Sequence, residues 1–324
     1  MGNVILSVTQ HITALERRNF MKFTELELNK ATKIRALLLN VEEKKTKNNT
    51  LYLNMSFSDG ETIISANLWD TAKEKFPIER GSVVEAVIFV KMYNDARSYT
   101  INSCELDADG NPEEFVISAP LPSEKMFDDI YNLSTSLGVY APLVSNILLD
   151  NKEKLMIWGA AKIIHHNVRG GLLYHIWTMV RSACTILKVY SESVNRELLL
   201  SGIILHDIGK IKELSCDGFG GAEYTADGTL FGHSYIGAVM VREYAVKYDV
   251  PEKDANMLQH MVLAHHGTIE HGAVKLPAIP EACILHHLDC IDACMYQFIS
   301  TRENMVEGEE LSDKIFGLGT RVYK

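Results

Sequence analysis

The apolar residues of this 324-residue chain change their spacing once, and that change divides the fold into two unlike parts. Leu51, Leu53, Met55 and Phe57 alternate with Tyr52, Asn54 and Ser56. A period of two makes a half-buried strand. Ser58-Asp59-Gly60 signals a turn, and a second alternating run follows through Thr62, Ile64, Ala66 and Leu68. Before them, an apolar run from Ile34 to Leu39 enters a polar turn at 42–50. After them, Gly81 precedes a β-rich run over 83–92, and Asn94-Asp95 turns the chain into 98–106. A short helix is expected over 70–76. From Ser123, read as a helix N-cap, apolar positions recur at spacings of three and four, the helical pattern. Helices are expected over 123–137, 171–190, 194–206, 233–246, 252–264 and 280–301. The Gly- and Asp-rich stretch 215–229 reads as a loop.

Five strands with a helix between the third and fourth fit an OB-type β-barrel over 30–107. Residues 108–122, with Asp-Gly-Asn-Pro and Ala-Pro-Leu-Pro, read as a linker. Residues 123–324 read as an all-α bundle, so the fold class is multidomain α and β. Residues 1–29 carry no clear period. A composition of 47% hydrophobic and 23% charged residues excludes a disordered chain, a collagen-like fibre and a coiled-coil rod. No apolar stretch approaches the roughly 18–20 residues of a membrane helix. The start lacks a basic region followed by a long apolar core, so a cytoplasmic location is expected. Six cysteines without a CxxC pair read as small core residues in a reducing compartment, Cys290 and Cys294 among them. A net charge of −10 makes a poor non-specific binder of polyanions. Action on nucleic acid then requires a local basic groove or metal ions.

Eleven of the twelve histidines lie between His165 and His287, which places the chemistry in the C-terminal part. The central group is His206-Asp207-Ile208-Gly209-Lys210, at the end of an apolar helix. His175, His233, His265-His266-Gly267 and Asp289 stand on separate helices or loops, so several elements can each deliver a ligand to one cavity. A carboxylate can bridge two metals, and imidazole supplies a neutral nitrogen. Asp292 competes with Asp289, because a three-residue shift keeps both on one helix face.

Gly170-Gly171-Leu-Leu-Tyr-His175, His206 through Glu213, Glu223-Tyr-Thr225 through Gly228-Thr-Leu-Phe-Gly-His233, and His265-His266-Gly267 together resemble the YhaM-type 3′→5′ exoribonuclease family of HD phosphohydrolases. The terminal Arg321-Val-Tyr-Lys324 and a barrel ahead of the helical domain are also similar. The resemblance covers about 30–324. It implies a first metal site of His175, His206, Asp207 and Asp289, and a second in which Asp207 bridges to His233, His265 and His266. Five imidazoles and two carboxylates suit a transition metal better than calcium or magnesium. Two divalent ions are expected, manganese first, with iron, cobalt, nickel or zinc as alternatives. A two-metal-activated hydroxide is expected to attack phosphorus in line, with Asp207 and Lys210 as catalytic residues. Arg169 and His166 are candidate substrate contacts, while His286 and His287 read as packing or supporting residues.

Lys30, Lys33, Arg35, Lys44, Lys45 and Lys47 cluster around the first strand, with Tyr52, Tyr93 and Tyr99 interspersed and Trp69 read as core. Stacking beside a basic track is how OB folds hold single strands. Lys33, Lys44, Lys45 and Tyr52 are therefore expected to contact substrate. The leading expectation is a metal-dependent 3′→5′ exonuclease on single-stranded RNA, with DNA as a further substrate. The alternative is an HD phosphodiesterase acting on a small nucleotide such as a cyclic dinucleotide or alarmone, and a third reading is a non-enzymatic nucleic-acid binder. No membrane partner is expected, and a homo-oligomer is left open.

Overall fold

The computed structural model describes residues 21–93, 96–159, 168–216, 218–219, 222–305 and 308–324. Five strands form a closed barrel: β1 (Ala31–Lys45), β2 (Leu51–Ser58), β3 (Ile63–Trp69), β4 (Val83–Tyr93) and β5 (Ala96–Leu106), in the order β1-β2-β3-β5-β4. Closure depends on β1, whose first half pairs with β4 and whose second half pairs with β2. A register shift between Leu38 and Asn40 divides the two halves and bends the strand. Ile34, Leu38, Leu53, Phe57 and Ile88 fill the interior. Phe23 and Leu26, from the segment ahead of β1, pack into the same core.

The helix expected over 70–76 is a three-residue 3-10 turn, Lys73–Lys75. Asp70 takes a left-handed φ of 55°, and Phe76 precedes Pro77, which disfavours helical backbone there. The 108–122 segment is packed rather than free. Ser58 Oγ donates to the Phe115 carbonyl at 2.6 Å. Phe115 and Val116 join Leu37, Leu39 and Val83 in a small core of their own.

The helical part comprises α1 (Ser123–Ser134), α2 (Ala141–Asp150), α3 (Lys152–Ile157), α4 (Gly171–Tyr190), α5 (Arg196–Leu205) and α6 (Lys210–Glu213). A hairpin of β6 (Leu214–Cys216) and β7 (Ala222–Tyr224) follows. Next come α7 (Ala226–Lys247), α8 (Glu252–Ala264), α9 (Pro280–Glu303) and a terminal hairpin of β8 (Leu311–Ile315) and β9 (Thr320–Tyr323). Thus 215–229 is not one loop. Its strands pair, and α7 starts at Ala226 because Thr225 caps it, accepting from the Gly228 N–H at 2.9 Å. Ser123 is not the cap of α1. It lies in the first turn and donates to the Met156 carbonyl at 2.9 Å. Asn195 caps α5 through the Leu198 N–H at 2.9 Å. Leu172, Ile176, Leu199, Ile203, Met261 and Leu285 form the bundle core. Four of the cysteines are not core residues: Cys184, Cys283, Cys290 and Cys294 are exposed, whereas Cys104 and Cys216 are partly buried against the barrel and bundle cores. Among the described residues, no helix is long and apolar enough to cross a membrane.

Candidate metal centre

Five helices and their ends deliver the site. His175 projects from α4, His206 and Asp207 follow α5, His265 and His266 follow α8, and Asp289 lies on α9. His233 follows a break inside α7 at Gly232, where φ is 70° and ψ 159°. That backbone suits glycine and re-aims the chain so that His233 turns inward. Gly209 permits the approach of α6 to this break, since a Cβ there would lie 2.0 Å from the His233 carbonyl oxygen.

The side chains form two sets around Asp207. His175 Nε2 lies 3.2 Å from His206 Nε2 and 3.3 Å from Asp289 Oδ1. Asp207 Oδ2 is 3.3 Å from His206 Nε2. The other oxygen, Oδ1, faces His233 Nε2 at 3.5 Å and His265 Nε2 at 3.6 Å. His266 Nε2 stands 3.2 Å from His233 Nε2. The donor atoms of His175, His206 and Asp207 lie within 4.8 Å of one another, as do those of His233, His265 and His266.

The far ring nitrogens explain why the near ones converge. Nδ1 of His206 meets the Ile203 carbonyl at 2.8 Å, and Nδ1 of His265 meets the Val262 carbonyl at 2.7 Å. A carbonyl only accepts, so each Nδ1 carries the proton and each Nε2 keeps a lone pair. Asp292 Oδ2 holds His175 Nδ1 at 2.7 Å, and Thr178 Oγ1 donates to the other oxygen, Oδ1, at 2.5 Å. Glu213 Oε1 accepts from both the backbone N–H and Nδ1 of His233, each at 3.0 Å. Carboxylate-backed imidazoles of this kind orient metal ligands and raise their basicity. Asp289 therefore faces the cluster, and Asp292 stands behind it. Glu213 carries no role in the sequence reading, although a carboxylate between apolar Ile211 and Leu214 was a usable signal.

Burial opposes charge on every group here, and neighbours override it unequally. It would raise the Asp207 carboxyl, but Lys210 and His206 hold it well below the usual carboxylate range. Lys210 Nζ donates to Asp207 Oδ2 at 2.5 Å. Burial would lower His175, yet Asp289 and Asp292 raise it to about 9. Burial lowers His265 and His266, keeping them as neutral donors. Asp207 Oδ1 and His265 Nε2 are buried without a hydrogen-bond partner. Two buried acceptors that face each other call for a cation.

The pocket beside these atoms has a volume of about 180 Å³ and is lined also by Lys210, His271, His286, Cys290 and Ala293. His286 Nδ1 lies 2.9 Å from the His265 carbonyl and supports the backbone there.

A protein-family model described as "HD domain" matches residues 172–294. The 3′-5′ exoribonuclease YhaM of Geobacillus sp. (strain WCH70) is 30% identical over 303 residues, 92% of this chain and 92% of that protein. The chain belongs to the YhaM family. Its counterpart in Bacillus subtilis (strain 168) is 30% identical over 278 residues, 84% of this chain and 87% of its own. That of Listeria monocytogenes serotype 4b (strain CLIP80459) is 31% identical over 295 residues, 89% of this chain and 93% of its own. Among solved structures, the second OB-fold domain of replication protein A from Methanococcus maripaludis aligns with 28% of this chain and 97% of its own, at 19% identity and a TM-score of 0.23.

The YhaM-type residues expected at the metal centre thus come together. The expected substrate contacts do not form one patch. His166 lies outside the described residues. Arg169 is engaged by Glu113, its Nη2 donating to Oε1 at 3.0 Å, and by the Gly218 carbonyl. Lys33 and Lys44 are separated by about 35 Å of β1, and Lys33 pairs with Glu85 at 2.6 Å. Lys45 is exposed beside Lys44, opposite Leu51. Lys44 does share a row with Tyr52 and Trp69, which face one another across β1, β2 and β3. Trp69 is not core but 44% exposed, its ring centroid 4.7 Å from that of Tyr52.

Proposed function

We propose that this protein is a metal-dependent 3′→5′ exonuclease that hydrolyses single-stranded RNA, the activity named for its YhaM relatives. The observation that carries the reading is Asp207, whose two oxygens face two separate sets of imidazole nitrogens in one buried pocket. In this reading His175, His206, Asp207 and Asp289 would hold one ion, and His233, His265 and His266 with Asp207 would hold another. The donor set fits divalent transition metals, and manganese is the first to be tested. The partnerless Asp207 Oδ1 and His265 Nε2 support the fit. When bound, such ions supply Lewis acidity at the scissile phosphate and lower the pKa of the attacking water.

The chain's own residues set up that chemistry. Asp292 and Glu213 fix the rings of His175 and His233. Lys210 keeps Asp207 ionised and brings a cation to the pocket wall, where phosphate oxygens arrive. On the barrel, the Lys44, Tyr52 and Trp69 row offers a charge and two aromatic faces to unpaired bases. This platform favours a polymer over a small nucleotide.

The test is a time course on 5′-labelled single-stranded RNA with manganese, run beside Asp207→Ala. A descending ladder from the wild type alone supports the reading. Intact RNA, with bound metal verified, rejects it.

A further inference from the structure

Phe316 is 93% exposed at the tip of the β8–β9 hairpin. A large apolar ring held in water does nothing for the hairpin's own stability. Its position is not arbitrary. The adjacent Gly317 lies so close to Gln297 of α9 that a Cβ would fall 2.1 Å from Gln297 Oε1. Gln297 in turn donates to the carbonyl of Ala293, at 3.2 Å. Ala293 lines the metal pocket. The tip is therefore docked about one helical turn, roughly 6 Å along α9, from the pocket wall.

One side of α9 continues past the tip. Asp289, Ala293, Gln297, Ser300 and Asn304 follow one another at spacings of three and four. Ser300 and Asn304 line an open groove of about 920 Å³ between α9, the terminal hairpin and the barrel, reached on the barrel side by Thr62 and Tyr99. Thr62 Oγ1 meets Asn304 Oδ1 at 3.4 Å. Ile64, of the inward parity, also lines the groove, at the end of β3 away from Trp69. The groove thus joins the barrel to α9, and Asn304 on its wall lies about 16 Å along α9 from Ala293 at the metal pocket. The tip that carries Phe316 packs, through Gly317, on Gln297, which lies along α9 between Ala293 of the pocket and Ser300 of the groove.

We infer that Phe316 is a stacking station for a nucleobase of single-stranded RNA on its way from the barrel to the metal pocket. This rests on the exonuclease reading above. Every base has a π-face, so an exposed ring holds a strand without choosing its sequence. A station near the chemistry orders the nucleotides just upstream of the scissile bond.

The test uses the full chain, kept metal-free with EDTA so that no cleavage occurs, and a 5′-fluorescein-labelled oligoadenylate read by anisotropy. Phe316→Ala is expected to raise Kd about tenfold, while Phe316→Trp stays close to wild type. An abasic site is then walked along the last nucleotides of the probe. At one position it is expected to weaken wild-type binding and to leave Phe316→Ala binding unchanged. Equal Kd values for Phe316→Ala and wild type, or equal abasic penalties in both, overturn the station. The metal-loaded wild type is run in parallel on the same oligonucleotide. If it shortens the RNA while Phe316→Ala binds normally, the station alone fails. If it neither binds nor shortens the RNA, the exonuclease reading fails and the station with it.

Discussion

Replacing Glu213 should separate the two proposed ion sites, because its carboxylate contacts only the His233 set. Glu213 is buried and accepts twice at Oε1, from the His233 backbone N–H and from Nδ1. Its second oxygen lies 3.1 Å from the same Nδ1. In Glu213→Gln the amide oxygen can take the Oε1 position and keep both of those bonds. The tautomer of His233 then survives, and what is lost is the negative charge and the Oε2 contact. Charge-assisted hydrogen bonds are roughly twice as strong as neutral ones, and removing a partner behind a ligand costs about 10- to 100-fold in metal affinity. Glu213→Gln should therefore fall near the lower end, about tenfold or ~1.4 kcal/mol at the His233 site. Glu213→Leu also strands the His233 N–H groups, adding about 1–3 kcal/mol. The set around His175 is backed by Asp292 and should hold its ion unchanged. Asp292→Asn should give the mirror image. The assay is a manganese titration against a chromophoric chelator, with bound metal counted by elemental analysis. Two dissociation constants within twofold of wild type in Glu213→Gln would refute the reasoning, as would equal weakening of both sites.

Acidity provides a second check, on metal-free protein. The folded pKa of His175 is raised from 6.5 to about 9, so its stabilisation is complete below 6.5 and is lost as pH rises through 9. Tm of the stripped protein should fall across that window, and His175→Gln should flatten the fall; a wild-type Tm that holds steady contradicts it. Gly209→Ala places a methyl group against the His233 carbonyl and the Gly237 N–H, backbone atoms that cannot step aside. A loss of about 1–3 kcal/mol is expected in denaturant unfolding, together with weaker metal binding at the His233 set; unchanged midpoints reject the close approach. Trp69→Ala should raise Kd for single-stranded RNA about tenfold by anisotropy, and an unaltered Kd removes the barrel row from the substrate path.

The histidine and aspartate cluster was legible because metal-binding chemistry leaves few residue types to choose from. Imidazoles and carboxylates crowded at helix ends in one part of the chain have few other uses, and the helices at 171–190 and 252–264 were fixed by their apolar spacing. What spacing could not provide was direction. Asp289 and Asp292 share a face of α9, and only the placement of α4 against it decides that one meets Nε2 of His175 and the other Nδ1. Glu213 shows the same dependence, since its partner lies twenty residues on, beyond a hairpin and a helix break. Trp69 was a different matter. Ile64 and Ala66 point inward, so Ile63, Ser65, Asn67 and Trp69 share the outward parity. Size argued for the core and alternation argued against it, and alternation prevailed because a strand that slipped to bury Trp69 would turn Ile64 and Ala66 into water. The exposed cysteines follow the same asymmetry. Burial selects apolar residues, but a long helix packed on one side still shows apolar residues on the other. Exposed apolar residues carry functional information only where the backbone holds them beside a site, as Gly317 on Gln297 does for Phe316.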